Sequence, residues 1–458
     1  MNAKKIFSVL AITGVALANV PEFNSWLVNC DGTTGYQGIL ADVQEVNYDT
    51  NNVYVESTGI PSHSIGPWQN NPNQAQQQSH VFRIPRTPQP ATNHIDTPLG
   101  PIGVFVNGVP MFNAEDAFSW QNQGIWHRNA IVAEAISFDS CLGHPQMTGV
   151  YHYHKLPECL QGQLGDNGLQ HSPIIGWAFD GYPVYGPYGY DNPTDPGSSV
   201  RPMVSGYVPR FGMMQRDSLP DGTQLPQNLW GPPVSGMNPL GMFVEDFELT
   251  GTGDLDEFNV RFCVTPDYPG GTIAYFTPLD SSGESAFPYI VGLQYYGVPD
   301  QGNFGPGNVN VPNNADTFEA CAPPPTNYCT TSPNSVGTGA IIGSSGTTSM
   351  SANDLTLLCW GLVPNTPGLF YYGTDRTVLP LGEGVRCVDG NLIRLSVKVA
   401  DMFGTSFDSL DLNSPPFSSG LGAVTAGDLR NFQYWYRDIT GGPFGYNLSD
   451  ALEVNFVP

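Results

Sequence analysis

Lysine is nearly absent. The 458-residue chain holds Lys4, Lys5, Lys155 and Lys398 and no other. Lys and Arg together number 16 against 41 Asp and Glu, a formal net charge of −25. A chain so poor in cations offers no electrostatic footprint for nucleic acid or anionic lipid. With so few lysines, Schiff-base chemistry is not expected. Charged residues of both signs make up 12% of the chain and aromatics another 12%, which excludes a disordered polyelectrolyte. Past the N-terminus no apolar run approaches the ~20 residues of a membrane helix, so the mature chain is expected without a span. Several catalytic templates are also missing: there is no G-x-S-x-G elbow, no phosphate-binding P-loop, no G-x-G-x-x-G after a strand and no H-E-x-x-H.

What is abundant is punctuation. Gly (53) and Pro (42) make up roughly a fifth of the chain. Frequent turns with frequent aromatics predict short packed strands, hence a mainly β protein of two β-rich domains. Lys4 and Lys5, the apolar run 6–18 and the A-x-A triplet Ala16-Leu17-Ala18 read as a signal peptide over residues 1–18. The protein is therefore expected to be secreted or held at the cell surface or in the periplasm. All eight cysteines lie beyond the signal, with no C-x-x-C pair, and an even count in an exported chain reads as disulfides. Cys141–Cys159 and Cys359–Cys387 are the favoured pairs because each brackets a compact segment.

Domains are expected at 19–300 and 327–458, joined by a Gly/Pro-rich linker over 301–326. In the first, residues 40–58 read as a hairpin around Asp49-Thr-Asn-Asn52, residues 59–100 as loop, and 114–120 and 129–136 as short helices. In the second, runs at 355–360, 368–373, 392–397 and 432–437 predict a β-sandwich.

Histidine carries the sharpest signal. All eight histidines precede residue 172, and His144, His152, His154 and His171 fall within one short stretch. If Tyr151-His152-Tyr153-His154 is a strand, His152 and His154 share one face, and Tyr151 and Tyr153 the other. Imidazoles at i and i+2 can converge on one ion, with His144 and His171 completing the set; such a site suits copper or zinc among others. Asp139 and Asp180 are candidate carboxylate ligands or orienting acceptors. Asp180-Gly181 also fits a hairpin turn between strands at 174–179 and 183–185.

These residues resemble a known family. Gly143-His144-Pro145, Gly149-Val-Tyr-His-Tyr-His154 and 171–186 are similar to the YHYH domain family, as are the motifs at 59–63, 103–110, 253–259 and 265–269, so that the likeness spans about 40–300. The resemblance adds His63 to the candidates and implies export, but no reaction. Residues 325–458 resemble a module that ends many secreted bacterial proteins. Within the first domain, Gly149-Val-Tyr-His-Tyr-His154 echoes Gly271-Thr-Ile-Ala-Tyr-Phe276, each preceded by an Asp and a Cys, Asp139 with Cys141 and Asp256 with Cys263. If this is a duplication, only the first copy has imidazoles.

The expected function is an exported YHYH-domain protein that binds a transition metal, copper or zinc. Whether it is an enzyme is left open. Its partner is an extracellular ligand whose identity the residues do not disclose. The alternative is a cell-surface glycan- or protein-binding adhesion protein whose histidines are structural.

Overall fold

The computed structural model describes residues 21–305, 309–318, 320–321, 325–350 and 353–457. The expected signal peptide lies outside them. The chain is mainly β and divides into two compact units, Pro21–Phe318 and Glu319–Pro458. No helix among the described residues is long and apolar enough to cross a membrane.

In the first unit, β1 (Val43–Tyr48) and β2 (Asn52–Ser57) form the expected hairpin. Asp49 closes its turn by accepting from the N–H groups of Asn51 and Asn52 at 2.7 and 2.8 Å. The stretch expected to be loop contains a third strand, β3 (His80–Pro85), paired with β2 along its whole length. Phe82 and Ile84 alternate inward there, and that period of two outweighs the Pro/Gln/Asn-rich flanks. Asp316–Thr317, inside the expected linker, adds an edge strand beside β1.

The helix expected at 114–120 is a strand, Glu115–Ser119, paired with His127–Asn129. A stretch that short cannot sustain a helix alone, so pairing decides its state. The helix expected at 129–136 shrinks to α1 (Ala130–Ala133), capped by the Asn129 side chain, and a 3₁₀ turn, Ala135–Ser137.

The main sheet has eight strands. They are β4 (Pro101–Phe105), β5 (Pro110–Phe112), β6 (Gly143–Pro145), β7 (Tyr151–Tyr153), β8 (Ile174–Ala178), β9 (Pro183–Tyr185), β10 (Val260–Cys263) and β11 (Thr272–Phe276). Their order is β10-β11-β9-β8-β4-β5-β7-β6. This is an internal repeat. Hairpins β4–β5 and β8–β9 meet at the centre, with Val104 opposite Trp177, Gly103 opposite Ala178 and Phe105 opposite Gly176. A parallel strand follows on each side: β7 beside β5, with Tyr153 opposite Met111, and β11 beside β9, with Tyr275 opposite Val184. Each then takes an antiparallel outer strand. His144 of β6 faces His152, and Arg261 of β10 faces Ala274.

The turns repeat as well. Asp139 Oδ1 accepts from the N–H groups of Cys141 and Gly143, and Asp256 Oδ1 from those of Phe258 and Val260. Leu142 and Asn259 hold matching left-handed positions, with φ of 69° and 70°. Ala274, Phe276 and Arg261 thus stand where the first copy has His152, His154 and His144.

The second unit is a sandwich. One sheet contains β12 (Thr326–Tyr328), β15 (Pro367–Gly373), β18 (Ile393–Val399), β20 (Leu429–Arg437) and β21 (Tyr446–Asn455), in the order β12-β21-β20-β15-β18. The other contains β13 (Ile341–Ser345), β14 (Thr356–Trp360) and β19 (Ser406–Ser409). Alternate residues such as Ile342, Leu357, Phe370, Tyr434 and Leu452 fill the core between them. A hairpin, β16 (Asp375–Leu381) with β17 (Gly384–Asp389), covers part of the outer face of the larger sheet.

The disulfides correct one expectation and meet another. Cys141 bonds Cys159 as expected. Cys387 bonds Cys329, not Cys359, and Cys359 is a free, buried thiol, as is Cys263. Cys359 points from β14 into the sandwich core, whereas Cys387 packs on the opposite face of the larger sheet, beside Tyr328 and Cys329. Cys30 and Cys321 are disulfide-bonded too.

Candidate metal centre

The β6–β7 hairpin builds the site. His144 and His152 are direct cross-strand partners, with ring centroids 4.5 Å apart. His154 follows two residues after His152 on the same face, so strand periodicity supplies the third imidazole. Phe112 stacks on His152 at 3.8 Å and meets His154 edge-on, and Phe138 packs edge-on against His144. Glu134, at the end of α1, brings a carboxylate to the three rings. The ligand atoms of Glu134, His144, His152 and His154 all lie within 4.8 Å of one another.

The hydrogen bonds fix the tautomers. His152 Nδ1 lies 3.1 Å from the carbonyl of Val150, and His154 Nδ1 lies 2.7 Å from that of Asn113. A carbonyl only accepts, so both Nδ1 atoms carry the hydrogen. Ser137 Oγ donates to the Glu134 carbonyl at 2.7 Å and lies 2.6 Å from His144 Nδ1, so that nitrogen donates as well. His152 and His154, held neutral by burial, are each left with an Nε2 lone pair facing inward.

Those lone pairs meet acceptors. His152 Nε2 faces His154 Nε2 at 3.2 Å. His144 Nε2 is buried and lies 3.0 Å from Glu134 Oε2, at ion-pair distance. His154 Nε2 is 3.9 Å from the same oxygen. Burial pushes the His152 imidazolium well down in pKa, reinforced by His154 and His144, and holds His154 down at about 4. Burial works to raise Glu134, but His144 and His154 beside it outweigh this and leave its carboxyl below the ordinary value. Three imidazole Nε2 atoms and one carboxylate thus converge. Two first-row metal bonds of about 2.0–2.2 Å span separations of this size. A cavity of about 400 Å³, lined by all four residues and by polar groups such as Asn73, Asp116 and Gln146, opens onto them.

The other candidates lie around this group or away from it. Asp139 is not among the convergent atoms. Its carboxylate accepts from the N–H groups of Gly66, Cys141 and Gly143, from Trp68 Nε1 and from the Tyr151 hydroxyl, tying the hairpin to the loop before β3. Tyr151 and Tyr153 point to the opposite face, and the Tyr153 hydroxyl lies 3.0 Å from His63 Nε2. His63 neighbours Cys141 and Cys159, but those sulfurs are spent in the disulfide. Asp180 is fully buried at its turn. It accepts from the Tyr275 hydroxyl and the Gly297 N–H, and burial raises its carboxyl to about 6.

His171 is not brought to the group. It packs against Tyr185, Tyr190 and Phe276, so it belongs to the second repeat's counterpart of the site. Glu134 is the residue that sequence reasoning missed. Its only signal was a carboxylate within ten positions of His144.

Residues 81–285 match the family described as YHYH protein. This stretch is similar to the YHYH domain. The match begins inside β3, leaves His63 outside, and includes both repeats and all four convergent residues. No curated protein and no solved structure matches the chain.

Proposed function

We propose that the YHYH domain binds one divalent transition metal ion, copper or zinc, through Nε2 of His144, His152 and His154 and the carboxylate of Glu134. The observation that carries this is Nε2 of His152 against Nε2 of His154, each ring with its Nδ1 already donating to a carbonyl, beside His144 Nε2 and the Glu134 carboxylate. Structural histidines pair donor with acceptor, and these do not. Imidazoles oriented through Nδ1 by carbonyl and hydroxyl oxygens are what a metal site requires. Three nitrogens and one oxygen suit copper and zinc. Cavity access to the ion would leave room for an exogenous ligand, which on zinc permits hydrolysis and on copper permits oxidation.

The disulfides support residence in an oxidising compartment, and we assign the protein to the secreted or cell-surface fraction. The test is metal titration of the full chain after chelation, read by mass spectrometry. One copper or zinc ion per chain is expected, and none in a His152→Ala/His154→Ala double variant that keeps the wild-type circular dichroism. A chain that stays empty, or a variant with unchanged stoichiometry, overturns the assignment.

A further inference from the structure

The C-terminal unit carries a cavity of about 780 Å³. It lies on the face of the five-stranded sheet that points away from the sandwich core, where hairpin β16–β17 leaves the sheet uncovered. Leu369, Trp435 and Leu448 form its floor. Leu381 of the hairpin and Leu392 before β18 stand at its rim, 39% and 40% exposed. Beyond them Val397 and Val399 extend the apolar surface along the edge strand, 65% and 64% exposed. The volume falls within the ~300–1,000 Å³ of small-molecule sites.

The charges of this cavity are all of one sign. Arg386 and Arg394 line it, and no carboxylate does among its described residues. That is unusual in a chain with 41 acidic residues and 16 basic ones. Arg386 donates to Asp389 at 3.0 Å through one terminal nitrogen, while its Nε is buried without an acceptor among the described residues. Arg394 is exposed and has no ion-pair partner among the described residues. Two guanidiniums beside a floor of leucine and tryptophan would repel a cationic ligand. They complement an apolar chain that ends in an anion, since a guanidinium holds a carboxylate through two parallel hydrogen bonds.

We propose that this cavity is a binding site for an amphipathic anion, an aliphatic chain bearing a carboxylate, held with its tail on Leu369, Trp435 and Leu448 and its head at Arg394 and Arg386. The site is independent of the metal centre. The experiment is calorimetric titration of the full chain with dodecanoate, and with dodecyltrimethylammonium as the same tail carrying the opposite charge, both below micelle formation. Dodecanoate is expected to bind one per chain and to change Trp435 emission, a change that Trp435→Phe abolishes. Arg394→Gln, an exposed substitution, should keep the melting temperature and weaken dodecanoate by roughly tenfold to a hundredfold. Equal affinity for the two amphiphiles, or unchanged affinity in Arg394→Gln, overturns the proposal. So does a dimer in light scattering that Val397→Arg dissociates, since a second copy would then occupy this face.

Discussion

Replacing Glu134 by Gln separates a metal centre from a cluster of structural histidines, because the two readings predict opposite signs. The carboxylate oxygen lies 3.0 Å from His144 Nε2, and in a metal centre both atoms are acceptors. Gln presents an N–H₂ at the same position, turning that clash into a hydrogen bond worth about 1 kcal/mol net. The unit Pro21–Phe318 has about 300 residues, so its unfolding entropy is about 0.6 kcal/mol/K. The metal-free variant should therefore melt about 1.5 °C above the metal-free wild type. With zinc or copper the order reverses. Metal at a hundred times its dissociation constant stabilises the wild type by about 2.7 kcal/mol, or about 4 °C. Loss of the one anionic ligand removes most of that gain. The assay is thermal unfolding of both proteins, each with a chelator and with added metal. If Glu134 instead serves as an ion-pair partner for His144, the variant loses stability in both conditions, and Glu134 is then no metal ligand.

Further expectations concern the scaffold. A Cβ at Gly143 would overlap the Tyr151 ring and hydroxyl, so Gly143→Ala should cost about 1–3 kcal/mol and weaken metal binding in the same titration. Burial holds His80 at about 4 against 6.5 when unfolded. The unfolded chain then binds the extra proton between those values, and stability falls as pH drops through that window. The loss totals about 3 kcal/mol, and urea titrations at pH 7 and pH 4 should show it reduced in His80→Asn. Cys329→Ser opens a loop of 58 residues and should cost about 4 kcal/mol by the loop-entropy relation, read from urea unfolding. Cys263 and Cys359 should react with a thiol reagent only after unfolding, because both are buried.

The hairpin at 40–58 and the shared face of His152 and His154 were legible because each rests on a period of two in contiguous residues. The sandwich strands at 368–373 and 432–437 were legible for the same reason, with aromatics alternating into one core. Features set by distant pairing were not. Strand β3 is hidden by its polar flanks, and residues 114–120 take their state from His127–Asn129. Glu134 reaches the rings only because α1 ends beside the hairpin, which no local pattern announces. His171 lies close to His154 in sequence, but it opens the second repeat, whose counterpart site has Arg261, Ala274 and Phe276 in place of the imidazoles. Cys359 and Cys387 bracket a compact segment yet face opposite sides of one sheet. The sequence echo was short, and strand order with matching registers turned it into a duplicated four-strand unit.

X-ray absorption spectroscopy of the metal-loaded chain reads the ligands of the ion itself. Three nitrogen scatterers and one oxygen from the protein are expected at about 2.0–2.2 Å, with the imidazole signature reduced by a third in His144→Ala. A bound ion with no imidazole signature, or with a signature unchanged in that variant, would contradict this ligand set.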